Sequence, residues 1–508
     1  MNGNLFKIVL ISVIAILLAI IGGVMSADGD PVSIALAISP FVLAGLCLMK
    51  EKVWYLWIFL PPFFIISAKL SSYGPLVAYT ITLPFYLWNV MLRRSTLTWN
   101  SIPLLDIAVF LLFVHVIYVF LTHPFGLGLN IMEDYYGGKG YITFLQGLIA
   151  YLCLSSLNTT SNELGKVLQW SIVLIVLSTL ALTVLNILSP DSVGANMGEA
   201  TGAVTEKTRN RTFNSISTLT LQLLILNYSP WQIIKRPWYL ILVMLSVAGI
   251  FIGGGRLNFA ILLTLFLFIS VLYKRWVSSI VMPSLVVALL SVLSFSGFLR
   301  ELPFSAQRIL SAVPFLDVSY QAKADAEGSL EWRKEMWRWA LDDRERFIQD
   351  KTFGDGFSRD TNILKANIYE EAYRLSNDQS AFAWNGDWHS GVISTIQTIG
   401  YVGLTLYIIM SIIGMSYAYL ICCIYKYHKY RLGILFIAAL YFIRPLTFLL
   451  LFGVSTDIYV DIIALGIIKI LYSCAKKEGL YIPFQVHKEY VPLIIMKRNM
   501  VSYQVKNS

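Results

Sequence analysis

The sequence has few charged residues for its length. Only 14% of the 508 residues are Asp, Glu, Lys or Arg, whereas a soluble domain needs roughly a quarter. The mean hydropathy is correspondingly high, at +0.67. A soluble globular protein is therefore excluded, and a lipid bilayer must be the solvent for most of the chain.

Cysteine is also scarce, and visible repeats are lacking. The five cysteines fall in apolar runs or at their predicted cytoplasmic ends, where disulfides are not expected. Adjacent Cys422 and Cys423 have no His, Asp or second thiol pair at metal-ligand spacing, so we interpret them as packing residues. No inverted internal repeat of the kind seen in many transporters is visible, which lowers the case for a transporter.

Long apolar runs are abundant instead. About fourteen runs approach the ~20 residues that cross a hydrocarbon core about 30 Å thick, which predicts an all-α polytopic membrane protein with about 14 transmembrane helices. The first run is longer than the ~7–15 apolar residues of a cleaved signal peptide, so we expect it to be retained. The predicted spans are Ile8–Met25, Val32–Met49, Val53–Ala68, Pro75–Leu92, Leu104–Leu121, Ile142–Leu157, Val167–Leu188, Phe213–Asn227, Tyr239–Gly253, Leu257–Tyr273, Val277–Gly297, Gly391–Ile421, Leu432–Phe452 and Ile458–Tyr472.

Lysine and arginine in short loops predict the orientation, because they accumulate on the cytoplasmic side. A cytoplasmic N-terminus puts the basic loops at residues 50–52, 93–94, 235–236, 274–275, 426–431 and 476–477 inside. The chain then divides into an N-terminal bundle of about 11 spans (1–297), a large extracytoplasmic loop (298–388), C-terminal spans (389–474) and a cytoplasmic tail (475–508). The net charge of +9 mostly reflects this anchoring and the arginines of the large loop, so no nucleic-acid partner is expected.

The large loop contains one predicted amphipathic helix, Ser329–Gln349 (SLEWRKEMWRWALDDRERFIQ). Four of its apolar residues share a face: Trp332, Met336, Trp339 and Ala340. Arg333 lies on a neighbouring stripe, one turn before Trp337. We expect Thr352–Phe357 (TFGDGF) to end this helix, because its two glycines supply turn geometry.

Three ionisable groups fall where this topology places the outer membrane surface: Arg256 in GGGRLNF, Arg333 in EWRKEMW and His389 in DWHSG. Two arginines could hold a pyrophosphate, because the guanidinium presents a planar fork of donors to phosphate oxygens. Gly253–Gly255 would let an anion approach backbone N–H groups. The alternative is a tight hairpin in which Arg256 binds lipid headgroups, and the residues alone do not separate the two.

Two histidines fall near or within predicted spans. His389 stands at the start of a span, two residues after Asp387. Histidine commonly transfers protons near neutral pH, but on its position alone a capping or interfacial role is the simpler interpretation. His115 lies inside another span and is interpreted as a hydrogen-bonded residue of the bundle.

Arg444 also lies inside a predicted span, where a charge is costly. Asp457 and Asp461 on the following span are the expected partners. The pair is either structural or part of a groove for a lipid carrier.

Residues 389–403 (HSGVISTIQTIGYVG) resemble the signature of the O-antigen ligase and polymerase family, with matches at His389, Ser390, Gly400 and Gly403. Upstream, RTFNSIS from Arg211, GGGRLNF, and EWRKEMWRWALDD followed by TFGDGF resemble further family stretches in the same order. Gly255 stands where the family usually has Ser, and Asn210 where it has Gly. The likeness covers roughly residues 205–410.

The resemblance implies a GT-C-like helical fold and a metal-independent, inverting glycosyl transfer without a cofactor. The donor would be a glycan on undecaprenyl pyrophosphate at the outer face of the bacterial cytoplasmic membrane. His389 would position or deprotonate an acceptor hydroxyl, while Arg256 and Arg333 bind the pyrophosphate. Arg211, Arg444 and Asp387 are additional candidates. The acceptor could be a second lipid-linked repeat, a lipid A core or a protein, and a chain-length regulator is a candidate partner besides membrane lipids.

Two hypotheses from other classes stay open. In a lipid-linked-glycan flippase or other transporter, the arginines would line a translocation path, but ionisable groups here concentrate at one surface and in one loop. In a docking platform, the large loop would bind envelope proteins and His389 would be dispensable.

Overall fold

The computed structural model describes residues 49–64, 82–84, 86–88, 91, 99–123, 135–136, 138–188, 211–253, 256–313, 315–342, 347–357, 359–360 and 388–480. Several predictions lie outside these residues. They are the span Ile8–Met25, nearly all of Val32–Met49, most of Pro75–Leu92, Asp387 and the tail beyond residue 480.

The described elements are helices, apart from one two-residue antiparallel strand pair, β1 (Tyr135–Tyr136) with β2 (Arg359–Asp360). Short 3-10 helices cover Lys50–Trp54, Phe298–Glu301 and Ser455–Asp457. The α-helices are α1 Tyr55–Phe64, α2 Pro103–Thr122, α3 Lys139–Ser155, α4 Ser161–Leu188, α5 Arg211–Asn227, α6 Pro230–Ile234, α7 Pro237–Gly253, α8 Arg256–Leu272, α9 Trp276–Phe295, α10 Phe304–Leu310, α11 Tyr320–Leu341, α12 Gly391–Tyr425, α13 Arg431–Leu450 and α14 Ile458–Lys477.

Six helices among the described residues are long and apolar enough to cross a membrane: α2, α4, α9, α12, α13 and α14 with its preceding turn. Three shorter apolar helices cover Gly140–Ser155, Pro237–Gly253 and Leu257–Leu272. Large apolar side chains on α9, including Ile280, are exposed on its surface, as expected for a helix that faces lipid. The prediction of a polytopic helical membrane protein is confirmed.

Helices α12, α13 and α14 form the centre of the bundle, and α2, α3 and α4 pack around them. We call the side where α12 begins the His389 end, and the side where it ends the Lys426 end. A fully buried Lys469 pairs with Asp106 (Nζ to Oδ1, 2.5 Å), and the Tyr151 hydroxyl donates to the same carboxylate oxygen (2.6 Å). This cluster joins α14, α2 and α3 within the bundle, where an unpaired buried charge would be costly.

The cysteines within the described residues are free, as expected. Cys153, Cys422 and Cys474 are buried, and Cys423 is half-buried. They pack in the bundle and form no disulfide with one another.

Helix α11 corrects two predictions about the large loop. The helix covers Tyr320–Leu341 and not Ser329–Gln349, because Ser319 caps it (its hydroxyl accepts from Ala322 N, 3.4 Å) and Asp342 is already extended. Residues 320–328 are small or polar, so apolar periodicity did not indicate them. Thr352–Phe357 therefore does not end this helix. The predicted face is confirmed, since Met336 and Ala340 are buried and Trp332 and Trp339 pack against the same cluster.

Helix α12 is broken at Gly400, whose backbone has φ 68° and ψ −178°. As a regular helix, residues 401–425 alone span about 37 Å, more than the roughly 30 Å of the hydrocarbon core. Residues 391–399 thus form a separate, buried segment at the His389 end. Thr352–Phe357 packs against this break.

Candidate active site

His389 lies just before α12, in a backbone conformation that few non-glycine residues adopt. Its φ is 49°, in the left-handed region that costs a non-glycine residue free energy unless its surroundings impose it. The next residue, Ser390, caps α12 by accepting from Ile393 N (3.4 Å). The preceding Trp388 is fully buried, and its indole donates to Gln397 Oε1 (2.8 Å). Both sequence neighbours of His389 are therefore fixed by hydrogen bonds.

The imidazole of His389 is half-buried between two aromatic rings. Its centroid lies 5.9 Å from that of Trp332 on α11 and 5.2 Å from that of Phe452, which follows α13. These rings come from two different elements, so the orientation of the imidazole depends on tertiary packing. The arrangement suits a group whose position must be held with little freedom.

Helix α11 is bonded to the backbone beside His389. The Trp337 indole donates to the Trp388 carbonyl oxygen (2.7 Å). Arg333 precedes Trp337 by one turn and follows Trp332 directly, so α11 carries the half-buried Arg333 to the same end of the bundle as His389. The structure thus brings two of the three principal candidates to the same end.

Replacing Trp337 with phenylalanine keeps an apolar ring but removes this donor. We expect the free energy of unfolding to fall by about 1–3 kcal/mol, because the Trp388 carbonyl loses its partner. Chemical or thermal unfolding of the purified protein in detergent measures the change. Trp238→Phe is the matched control, since Trp238 is 76% exposed; equal losses in both variants would contradict the prediction.

Arg256 and Arg211 are the first residues of α8 and α5, and their side chains lie outside what the structure describes. The far ends of both helices lie at the Lys426 end. There, the Tyr273 hydroxyl after α8 donates to the Lys426 carbonyl (3.0 Å), and Arg431 donates to Asn227 of α5 (3.2 Å). Both helices therefore start on the side of the bundle where His389 lies. The positive ends of their backbone dipoles point the same way.

Arg444 forms the expected ion pair. Its Nε lies 2.7 Å from Oδ1 of the fully buried Asp461, and its Nη2 donates to the Asp457 carbonyl (3.1 Å). The Tyr407 hydroxyl donates to Asp461 Oδ2 (2.9 Å). The group joins α12, α13 and α14, and Phe448, one turn after Arg444, packs against Gly391. These contacts favour the structural alternative.

Within the described residues, no three His, Cys, Asp or Glu side chains cluster as metal ligands. Asp387 lies outside those residues. Sequence reasoning did not identify Phe452, nor Trp388 and Gln397, as the supports of His389. The one local signal was a bulky aromatic residue directly before the histidine.

Residues 241–408 match the model of a protein family described as O-antigen ligase. This match supports the resemblance to the O-antigen ligase and polymerase family that the motifs indicated. The matched range runs from α7 into α12 and includes Arg256, Arg333, His389 and Gly400. Together with the apolar helices, the match supports a multi-pass membrane protein of a ligase or polymerase type. No curated protein sequence matches it significantly.

Proposed function

We propose that this protein transfers or polymerises oligosaccharide from an undecaprenyl-pyrophosphate carrier at the outer face of the bacterial cytoplasmic membrane. The product would be O-antigen or exopolysaccharide. The reaction is an inverting glycosyl transfer that needs no metal ion. A long chain with a large loop favours a polymerase, in which the acceptor is a second lipid-linked repeat.

One observation carries the proposal: His389 is held rigidly at the end of the bundle where α5 and α8 start and α11 docks. Its ring lies between Trp332 and Phe452. A group that takes a proton in a transition state must be positioned within hydrogen-bond reach of that proton. The backbone strain at His389 fits such a role, because left-handed non-glycine residues cluster at functional sites.

The proposed step forms one bond and breaks one. The acceptor hydroxyl oxygen attacks the anomeric carbon of the donor sugar as the bond from that carbon to the pyrophosphate oxygen breaks. His389 accepts the hydroxyl proton, and the bonding electron pair leaves with undecaprenyl pyrophosphate. Inversion follows from attack opposite the leaving group.

Arg256 and Arg333 are proposed to bind the pyrophosphate. The leaving group gains negative charge as the bond breaks, and fixed guanidinium groups stabilise such charge most where water is largely excluded. Arg256 at a helix start would add backbone N–H donors and the helix dipole. Arg211 at the start of α5 is an additional candidate for this binding. Asp387, two residues before His389 in the sequence, is an additional candidate site residue but, as an anion, not a pyrophosphate ligand.

The remaining architecture is proposed from the sequence pattern. It comprises about 14 spans in a GT-C-like arrangement, divided at residues 297, 388 and 474, with both termini cytoplasmic. The long segment between α9 and α12 then lies outside. A glycan, lipid A core or protein acceptor reaches the site there, and a chain-length regulator is a candidate partner.

The test is glycan transfer by the full-length protein in nanodiscs, with a purified undecaprenyl-pyrophosphate oligosaccharide donor and acceptor. A chelator is present throughout. We expect longer glycan and stoichiometric free undecaprenyl pyrophosphate, because chain growth releases the carrier. If no carrier is released in nanodiscs and the donor instead crosses the bilayer of proteoliposomes, the protein is a transporter and the proposal is wrong. A reaction abolished by the chelator and restored by added metal would contradict metal independence.

A deletion strain separates polymerase from ligase. Loss of the chain-length ladder with single repeats still attached to lipid A core indicates a polymerase. Loss of all attachment indicates a ligase.

A further inference from the structure

Backbone hydrogen bonds join the break in α12 to the loop that follows α11. We call residues 351–356 together with residues 397–402 the joint. Asp355 N donates to the Gln397 carbonyl (2.8 Å) and Gly356 N to the Thr398 carbonyl (3.1 Å). In the opposite direction, Tyr401 N donates to the Lys351 carbonyl (2.8 Å) and Val402 N to the Thr352 carbonyl (3.1 Å).

Only glycine fits where the two backbones cross. Gly400 and Gly354 have φ values of 68° and 95°, which favour glycine strongly. A Cβ on Gly400 would clash with the Thr352 carbonyl oxygen, and one on Gly354 would clash with the backbone of Ile399. Gly354 of the TFGDGF segment and Gly400 of the histidine motif therefore both permit the same close backbone contact.

His115 completes the joint from a third element. The carbonyls of residues 397, 398 and 399 lie just before the break. The amides of Tyr401 and Val402, which are the regular helical donors to the first two carbonyls, bond the loop instead. The loop supplies donors to the first two, and His115 Nε2 lies 2.7 Å from the Ile399 carbonyl oxygen. Since a carbonyl can only accept, Nε2 carries the proton. His115 is buried on α2, so it fixes the joint to the bundle and satisfies a carbonyl that would otherwise be costly.

The joint connects directly to His389 through Gln397. The carbonyl of Gln397 accepts from Asp355, and its side chain accepts from the Trp388 indole (2.8 Å). Trp388 is in turn bonded to α11 through Trp337. A shift at residues 397–400 is therefore expected to disturb Trp388 and the adjacent His389.

We infer that His115 is a positioning residue that holds the joint and thereby the place of His389 relative to α11. The importance of His115 for catalysis rests on the proposed function, but its effect on His389 can be measured without a transfer assay. Small displacements of a reacting group are costly, about 10²-fold for 1 Å. The binding groups for the donor lie on other helices, so the effect should appear in kcat and little in KM.

The experiment compares His115→Leu, which cannot donate, with His115→Gln, whose side-chain amide can. His428→Leu at the Lys426 end is the control. In full-length protein in nanodiscs, hydrogen exchange of the Tyr401 and Val402 amides should be about tenfold faster in His115→Leu. Carbethoxylation of His389, followed by mass spectrometry, should change in rate. His115→Gln should stay close to wild type in both measurements.

In the transfer assay, His115→Leu should lower kcat at least about tenfold with KM for the donor nearly unchanged, and His115→Gln should recover most of the loss. Unchanged exchange and labelling in His115→Leu would overturn the inference, as would unchanged kcat in an active enzyme. If the wild type transfers no glycan while exchange and labelling respond as expected, the proposed function fails and the positioning of His389 by His115 stands.

Discussion

Replacing His389 with alanine is expected to lower the rate of glycan transfer about 10²–10⁴-fold, the contribution of a positioned general base. A sugar hydroxyl is a poor nucleophile until its proton is accepted, and we propose that the imidazole between Trp332 and Phe452 accepts it. The measurement is the initial rate of carrier release at saturating donor and acceptor. Donor binding should change much less, because His389 contacts the acceptor in this mechanism.

His428→Ala is the matched control for the loss of a histidine. His428 is half-buried in the turn between α12 and α13, at the opposite end of the bundle from His389. We expect it to keep wild-type transfer. A His389→Ala protein that folds, binds donor and transfers at the wild-type rate would remove His389 from the mechanism and favour the docking-platform or transporter hypotheses.

Replacing Asp461 with asparagine is expected to lower the free energy of unfolding by about 1–3 kcal/mol, less than for a fully buried pair because the Arg444 side chain is 37% exposed. Asparagine keeps the shape and an oxygen that accepts from the Tyr407 hydroxyl, but it removes the charge that neutralises Arg444 (2.7 Å). The half-buried Arg444 guanidinium then loses its ion-pair partner and keeps only its hydrogen bond to the Asp457 carbonyl. Unfolding in detergent, followed by loss of helical circular dichroism, measures the change.

The double variant Arg444→Met/Asp461→Leu tests whether charge balance is the cause. Because it removes both charges, it should be much more stable than Asp461→Asn. Asp457→Asn is the control, because it removes one negative charge as Asp461→Asn does. Arg444 donates to the backbone carbonyl of Asp457, so the free energy of unfolding should fall less in this variant. A double variant as unstable as Asp461→Asn would show that packing and not charge dominates at this position.

Several features of the site were predictable because they are local in sequence. The start of α12 beside His389 follows from an apolar run preceded by Ser390, whose hydroxyl caps the helix. The buried face of α11 follows from the helical spacing of Met336 and Ala340. The Arg444–Asp461 pair follows from the cost of a single charge in a membrane span.

Other features were not predictable because they depend on contacts between distant segments. Thr352–Phe357 has the composition of a simple turn, and only its hydrogen bonds with residues 397–402 show that it joins the broken helix. Local propensity also missed the start of α11, since residues 320–328 bury little apolar surface. His115 lies 284 residues from the carbonyl that it binds, and nothing near it in the sequence indicates that partner.

The sequence by itself determined that this protein is a helical, multi-pass membrane protein with motifs that resemble the O-antigen ligase family, and it indicated which histidine and arginines to examine. Hydropathy and short motifs suffice for this, because transfer into lipid and helix capping depend on neighbouring residues. The tertiary structure decided how His389 is held. Its ring lies between Trp332 and Phe452, and the preceding Trp388 is bonded to the joint that His115 completes. Such contacts depend on the complementary packing of segments far apart in the chain, which residue order alone does not specify.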